Sequence, residues 1–217
     1  NIIIIIAAIS CLLFYDIHGG LWLKGVTSSW FVLLGCTNLI YAKKNKLNNS
    51  KFIITIFIGL FLGMCADVLL GINFILGVLS FALGHVAYLI AYYGLEKFDK
   101  KELFVIIPIS IFSLYLVGCS PFITIEDPFL KNALLGYAII ISCMIAKAIT
   151  NFIKEKSTYR FLLLIGSILF YFSDIMLAFD MFGESTRLLW ILCSYTYWPA
   201  QNILAHSLFH YTNANIA

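Results

Sequence analysis

Apolar residues run through this chain in long blocks, punctuated by short polar stretches. The blocks lie at about 2–15, 21–42, 52–72, 74–95, 103–120, 129–152, 161–182 and 188–210. Most approach the ~20 residues that a helix needs to cross the hydrocarbon core of a bilayer. Backbone N–H and C=O groups find no water there, so helices are the spanning structure that such blocks can form. The third and fourth blocks meet at Gly71-Ile72-Asn73, which reads as a tight turn. The pattern predicts an all-α membrane protein, an eight-transmembrane-helix bundle in which residues 1–217 form a single integral membrane domain.

Composition strengthens this reading. The chain is 62% hydrophobic and 12% charged, about half the ~25% charged fraction of soluble domains. The net charge of +3 matters less than its distribution. Ten Lys and Arg residues lie in the segments 43–51, 96–102 and 154–160, against Lys24, Lys131 and Arg187 on the opposite side. Cytoplasmic loops carry the excess of positive charge, so both termini are expected on the cytoplasmic side. The bias does not distinguish a bacterial inner membrane from the endoplasmic reticulum. The six cysteines lie in or beside apolar blocks without a C-x-x-C pair, and read as reduced, buried small residues. The chain opens at Asn1 without Met, already in apolar sequence, which leaves a longer N-terminus open.

Two carboxylates interrupt the blocks. Asp67 lies in "GMCADVLLG" and Asp174 in "YFSDIMLA". A charge at the centre of a bilayer costs roughly 3 kcal/mol or more on insertion scales, and such residues are functional by default. Residues 59–73 align with 166–180 at an offset of 107, with identities at Gly59/Gly166, Leu62/Leu169, Asp67/Asp174 and Leu70/Leu177. At 1.5 Å per residue the two acids lie about 24 and 21 Å from the basic ends of their helices, at one level, where they could face each other. The offset relates the third helix to the seventh, which predicts two parallel four-helix repeats about an axis along the membrane normal. Gly59, Gly63, Asp67 and Gly71 recur every four residues on one face, where small residues admit a neighbouring helix, so Asp67 should point inward. Asp180, two turns past Asp174, reads as a structural residue near a water-facing helix end.

Burial disfavours the charged form of a carboxyl group, and two carboxylates close together cannot easily both ionise. That combination yields a general acid beside a general base, suited to acid-labile C–O bonds whose protonation gives an oxocarbenium-like cation. Within a membrane the natural substrate is a lipid.

The order of motifs resembles the lysoplasmalogenase-like, YhhN-type membrane family. The residues that carry the resemblance are Ala66-Asp67-Val68-Leu69-Leu70, Phe81 to Tyr88 with His85 between them, Ser173-Asp174-Ile175-Met176-Leu177-Ala178, and Tyr197-Trp198-Pro199-Ala200-Gln201. Two positions depart from the family pattern. Ala66 stands where a glycine is expected, and Lys24-Gly25 where Lys-Pro is usual, so Lys24 is left outside the expected core site. The resemblance implies hydrolysis of the vinyl ether bond of lysoplasmalogens, with Asp67 and Asp174 as catalytic residues. It implies that His85, Tyr88, Ser173, Tyr197, Gln201 and Asn202 orient these groups or contact substrate. The partners are then a lysophospholipid and water, and the chemistry needs no metal or organic cofactor. The sequence leaves open which Asp is the acid.

Two other readings fit the same residues. His206 and His210 sit four residues apart, a spacing that chelates zinc on one helix face, and His85 or Asp67 could supply a third ligand to a zinc-dependent lipid hydrolase. Alternatively, matched intramembrane acids in a parallel repeat suit a proton-coupled transporter.

Overall fold

The computed structural model describes residues 1–47 and 50–216. Asn48 and Asn49 of the basic segment 43–51, and Ala217, lie outside the described residues. Eight helices are present among the described residues: α1 (Ile2–His18), α2 (Leu21–Lys44), α3 (Lys51–Leu70), α4 (Phe74–Leu95), α5 (Leu103–Cys119), α6 (Pro128–Lys154), α7 (Thr158–Phe182) and α8 (Arg187–Ile216). A 3₁₀ turn at Lys100–Glu102 leads into α5. Six of these, α2 through α7, are long and apolar enough to cross a membrane. The helix α1 has 17 residues and is apolar but shorter. The helix α8 carries Tyr197, Gln201, Asn202, His206 and His210 along its length, which lowers its hydropathy although Tyr197 and Gln201 face the interior.

Local chemistry explains where the helices begin and end. Gly19 and Gly20 join α1 to α2 with φ of +65° and +94°, a left-handed path that residues with a Cβ rarely adopt. The Asn73 side chain accepts from the Leu76 N–H at 3.1 Å, capping α4. Asp127 accepts from the Phe129 N–H at 2.9 Å, with Pro128 at the first helical position of α6. The largest departure from the sequence reading is at α8, which continues two turns beyond residue 210. Polar Thr212 is fully buried, Tyr211 packs on Phe52 with ring centroids 4.3 Å apart, and Asn213 accepts from the Tyr41 hydroxyl at 2.9 Å. These side chains hold the last turns against α2 and α3, so their polarity does not end the helix.

The helices α2, α3, α4, α6, α7 and α8 form a closed ring, each packed on the next and α8 on α2. The helix α1 packs outside on α2, and α5 outside on α6. The most extensive pairs are α3 on α4 and α7 on α8. Adding four to the number of each helix in the first half maps these pairs onto those of the second. Without a hydrophobic drive between helices in lipid, such packing depends on close fit and hydrogen bonds. Gly59 shows the fit: a Cβ there would stand 2.4 Å from the Tyr88 ring of α4.

The lysine-rich end is closed by ion pairs around two buried cations, Lys147 and Arg160. Lys147, fully buried, reaches Glu102, and Arg160 reaches Glu96 at 3.1 Å and Glu155 at 2.6 Å. Glu96, just past the end of α4, also pairs with Lys154. The hydrogen bond from Lys154, assisted by Arg160, holds the Glu96 carboxyl below its ordinary range. At the opposite end Arg187 pairs with Asp16, and Lys131 donates to the Gly118 carbonyl at 3.1 Å.

Candidate functional site

Asp67 lies on the glycine face of α3 with its side chain 2% exposed. The glycines admit the groups that surround it: a Cβ on Gly63 would sit 2.4 Å from Gln201 Nε2. The Asp67 Oδ2 accepts from Ser28 Oγ of α2 at 2.5 Å and from the Tyr197 hydroxyl of α8 at 2.7 Å. Lys24 Nζ stands 3.7 Å from Oδ1. The network continues outward. Trp198 Nε1 donates to Ser28 at 3.1 Å, Gln201 Nε2 to the Tyr197 hydroxyl at 3.4 Å, and the Tyr88 hydroxyl to Gln201 Oε1 at 2.6 Å.

Asp174 on α7 has a different set of partners. Its Oδ2 accepts from the Tyr137 hydroxyl of α6 at 2.5 Å and lies 3.3 Å from His85 Nε2 of α4. The same His85 nitrogen is 2.7 Å from the Tyr137 oxygen, and its Nδ1 lies 3.3 Å from the Met144 sulfur. With Nε2 carrying the proton, His85 donates to Tyr137 and Tyr137 donates to Asp174. Both acids are thus reached from the paired helices of the bundle: Asp67 from α2 and α8, Asp174 from α6 and α4.

The two carboxylates do not face each other directly. No hydrogen bond joins the two clusters among the described residues, and Phe170 packs on both Tyr197, with centroids 5.2 Å apart, and His85, at 4.5 Å. The helix α3 runs beside α4 and α7 beside α8, on opposite sides of the ring. Their equal depth along the helices does not decide contact across it.

A cleft opens between α4, α5, α6 and α7 in the lysine-poor half of the bundle, with about 820 Å³ of space when the solvent at its mouth is counted. Asp174 and Tyr137 line it, whereas Asp67 does not. Its other walls are almost wholly apolar. The segment after α5 roofs it with Ile123 and Ile125 and is pinned by the Thr124 N–H donating to the Phe182 carbonyl at 2.9 Å.

The residues expected at the site divide. His85 joins the Asp174 cluster, while Tyr197, Gln201 and Tyr88 join the Asp67 cluster. Ser173 joins neither: its hydroxyl bonds back to the Phe170 carbonyl at 2.6 Å within its own helix. Asn202 also falls outside both. It donates to the Trp198 carbonyl at 2.9 Å and lies in a groove between α1 and α8. Asp180, near the end of α7, accepts from Ser185 at 2.7 Å. His206 and His210 face each other at 5.0 Å between ring centroids, and no group of three metal-ligating side chains forms among the described residues.

Three residues absent from the expected core site stand beside the acids: Lys24, Ser28 and Tyr137. Lys24 carried a signal, as a cation three residues inside an apolar helix on the lysine-poor side. Tyr137 is a lone phenol in the apolar run "LLGYAIIIS". Ser28 offers no such sign, because hydroxyls are common inside membrane helices.

Comparison with known proteins agrees with the motifs. No curated protein and no solved structure matches the chain. The model of the YhhN family matches residues 24–208, which include both carboxylates, His85, Tyr137 and the Tyr197–Gln201 element. The chain therefore belongs to the YhhN family of lysoplasmalogenase-like proteins.

Proposed function

We propose that this protein is an intramembrane hydrolase that cleaves the vinyl ether bond of lysoplasmalogens by carboxylate acid–base catalysis. The products are a fatty aldehyde and glycerophosphoethanolamine or glycerophosphocholine. The observation that carries the reading is a partly exposed carboxyl group, Asp174, on the wall of an apolar cleft inside a bundle of this family. Asp67 and Asp174 are the two candidates for the acid–base group. A protonated carboxyl gives its proton to the alkenyl carbon away from oxygen. A carboxylate then stabilises the resulting oxocarbenium ion and draws a proton from the attacking water. The hemiacetal collapses to the aldehyde and a free glycerol hydroxyl. In this reading the chain crosses the membrane eight times as two parallel four-helix halves, with both ends on the lysine-rich side.

The test is aldehyde release from lysoplasmalogen by the purified protein in detergent. Wild type should release it, and the double variant Asp67→Asn/Asp174→Asn should not, while unfolding at a temperature near that of wild type. A wild type without aldehyde release ends the hydrolase reading. A fully active double variant ends the carboxylate mechanism. The self-mapping of the helix contacts also suits a proton-coupled transporter. Carboxylate-dependent turnover in detergent, where nothing can be transported, rules against it.

A further inference from the structure

Asp67 and Asp174 look equivalent in the sequence but are not placed alike. Oδ2 of Asp67 accepts two hydroxyl hydrogen bonds, its Oδ1 faces Lys24, and the side chain is closed off behind Tyr197. Asp174 is held through Oδ2 alone, by Tyr137 with His85 behind it. Its Oδ1 has no hydrogen-bond partner among the described residues, and its side chain is 14% exposed, against 2% for Asp67. That exposure is toward the cleft. On the other side, Tyr15 of α1 packs from outside the ring on Trp198 and Trp190 of α8, with centroids 5.2 and 5.8 Å apart, so bulky rings crowd the region beside Asp67.

We propose that Asp174 alone carries both proton transfers, on a lysolipid whose single hydrocarbon chain lies in the cleft between α4, α5, α6 and α7, and that Asp67 is a positioning residue. This inference rests on the hydrolase reading. The chain is the occupant because Val78, Leu116, Ile123, Ala138, Ala178 and Phe182 give it apolar walls. Asp174 Oδ1, a side-chain oxygen without a hydrogen-bond partner among the described residues, then meets the only basic carbon of the substrate.

One carboxyl closes the cycle. Protonated Asp174 transfers its proton to the alkenyl carbon, the C=C electron pair forming the new C–H bond, and becomes a carboxylate beside the oxocarbenium ion. Water adds to the carbon bonded to oxygen, and its proton passes to Asp174, which regains its starting form. The neutral hemiacetal breaks its C–O bond to the glycerol. The hydroxyl proton of the hemiacetal ends on that oxygen, and no other reactant is consumed. His85 and Tyr137 orient Asp174 through Oδ2 and leave Oδ1 to react. Asp67, bonded to α2 and α8, fixes the packing of these helices on α3.

Single variants in the full chain separate the roles. Asp174→Asn should lower aldehyde release roughly a thousandfold, the size of a lost general acid–base group. It should still be stabilised against heat by lysoplasmalogen, since its cleft is intact. Asp67→Asn should retain release within about tenfold of wild type and keep the wild-type pH–rate profile, because the group that titrates in turnover is unchanged. Release lost in Asp67→Asn but kept in Asp174→Asn overturns the assignment, as does equal loss in both folded variants. These results leave the hydrolase reading standing, whereas a wild type without release removes it. If Asp67→Asn does not fold, the tyrosines decide. Tyr137→Phe should move the pH–rate profile by roughly one pH unit, as expected for a lost charge-assisted hydrogen bond, and Tyr197→Phe should not move it. The reverse result overturns the proposal. For the chain, Ala178→Phe narrows the cleft one helical turn past Asp174. It should raise KM for long-chain substrate about tenfold more than for a short-chain analogue. An equal effect at both lengths, or none, overturns the placement.

Discussion

Replacing Gly59 with alanine sets two effects against each other. In a helix interior alanine is favoured over glycine by about 1 kcal/mol, which taken alone stabilises the variant. At Gly59 the added Cβ would stand 2.4, 2.7 and 2.8 Å from three atoms of the Tyr88 ring, closer than carbon atoms approach. The ring cannot swing away cheaply. Tyr88 is 1% exposed, and its hydroxyl is tied to Gln201 at 2.6 Å. Overpacking of this kind costs about 1–3 kcal/mol, and loosening the Tyr88–Gln201 bond about 1 kcal/mol more. The steric effect wins, and the net loss is about 1–3 kcal/mol. For a chain of this size that lowers the unfolding temperature by roughly 2–4 °C per kcal/mol. The control is Gly136→Ala on α6, where nothing lies within 4 Å of the new Cβ. It should leave the melting temperature unchanged or raise it slightly. Thermal unfolding of the purified variants in detergent measures both. A Gly59→Ala protein that melts at or above the wild-type temperature, as the control does, would refute the close approach of α3 to α4.

Other perturbations test the charged groups. Lys24→Met removes the countercharge of Asp67 while keeping the length of the side chain. Because Lys24 is partly exposed and 3.7 Å away, the loss should be about 1–3 kcal/mol rather than that of a fully buried pair. An unchanged melting temperature would remove Lys24 from the site. At the lysine-rich end, the folded Glu96 carboxyl titrates below its ordinary value of 4.5. A carboxyl depressed on folding contributes stability that is complete above the unfolded value and lost as pH falls through the folded one. The wild-type melting temperature should therefore fall with acid below about pH 4.5, and Glu96→Gln should flatten that decline and cost about 1–2 kcal/mol at neutral pH. Identical acid limbs in the two proteins would show that the cluster around Arg160 does not depend on Glu96.

Much of this protein is legible without its structure, because a bilayer imposes few solutions. Apolar blocks of helical length can only become helices, so the helix positions follow from the sequence to within a few residues. The end of α8 is the exception: Asn213 is polar by type yet pairs with Tyr41 of α2, and Thr212 is buried with its hydroxyl bonded back to the Leu208 carbonyl of its own helix. The inward face of Asp67 is also legible: the four-residue glycine spacing is a one-dimensional record of where another helix must approach. Helix neighbours across the ring leave no such record. That Ser28 and Lys24 meet Asp67, that Tyr137 relays His85 to Asp174, and that Ser173 turns back to its own helix are decided by packing between segments far apart in the chain. Periodicity and hydropathy act along the chain, and they are enough to set two carboxylates at matched depth inside an all-helical membrane protein. Solvent access and partners depend on which helices close around each side chain, and it is this packing that seals one carboxylate beside a lysine and opens the other on an apolar cleft.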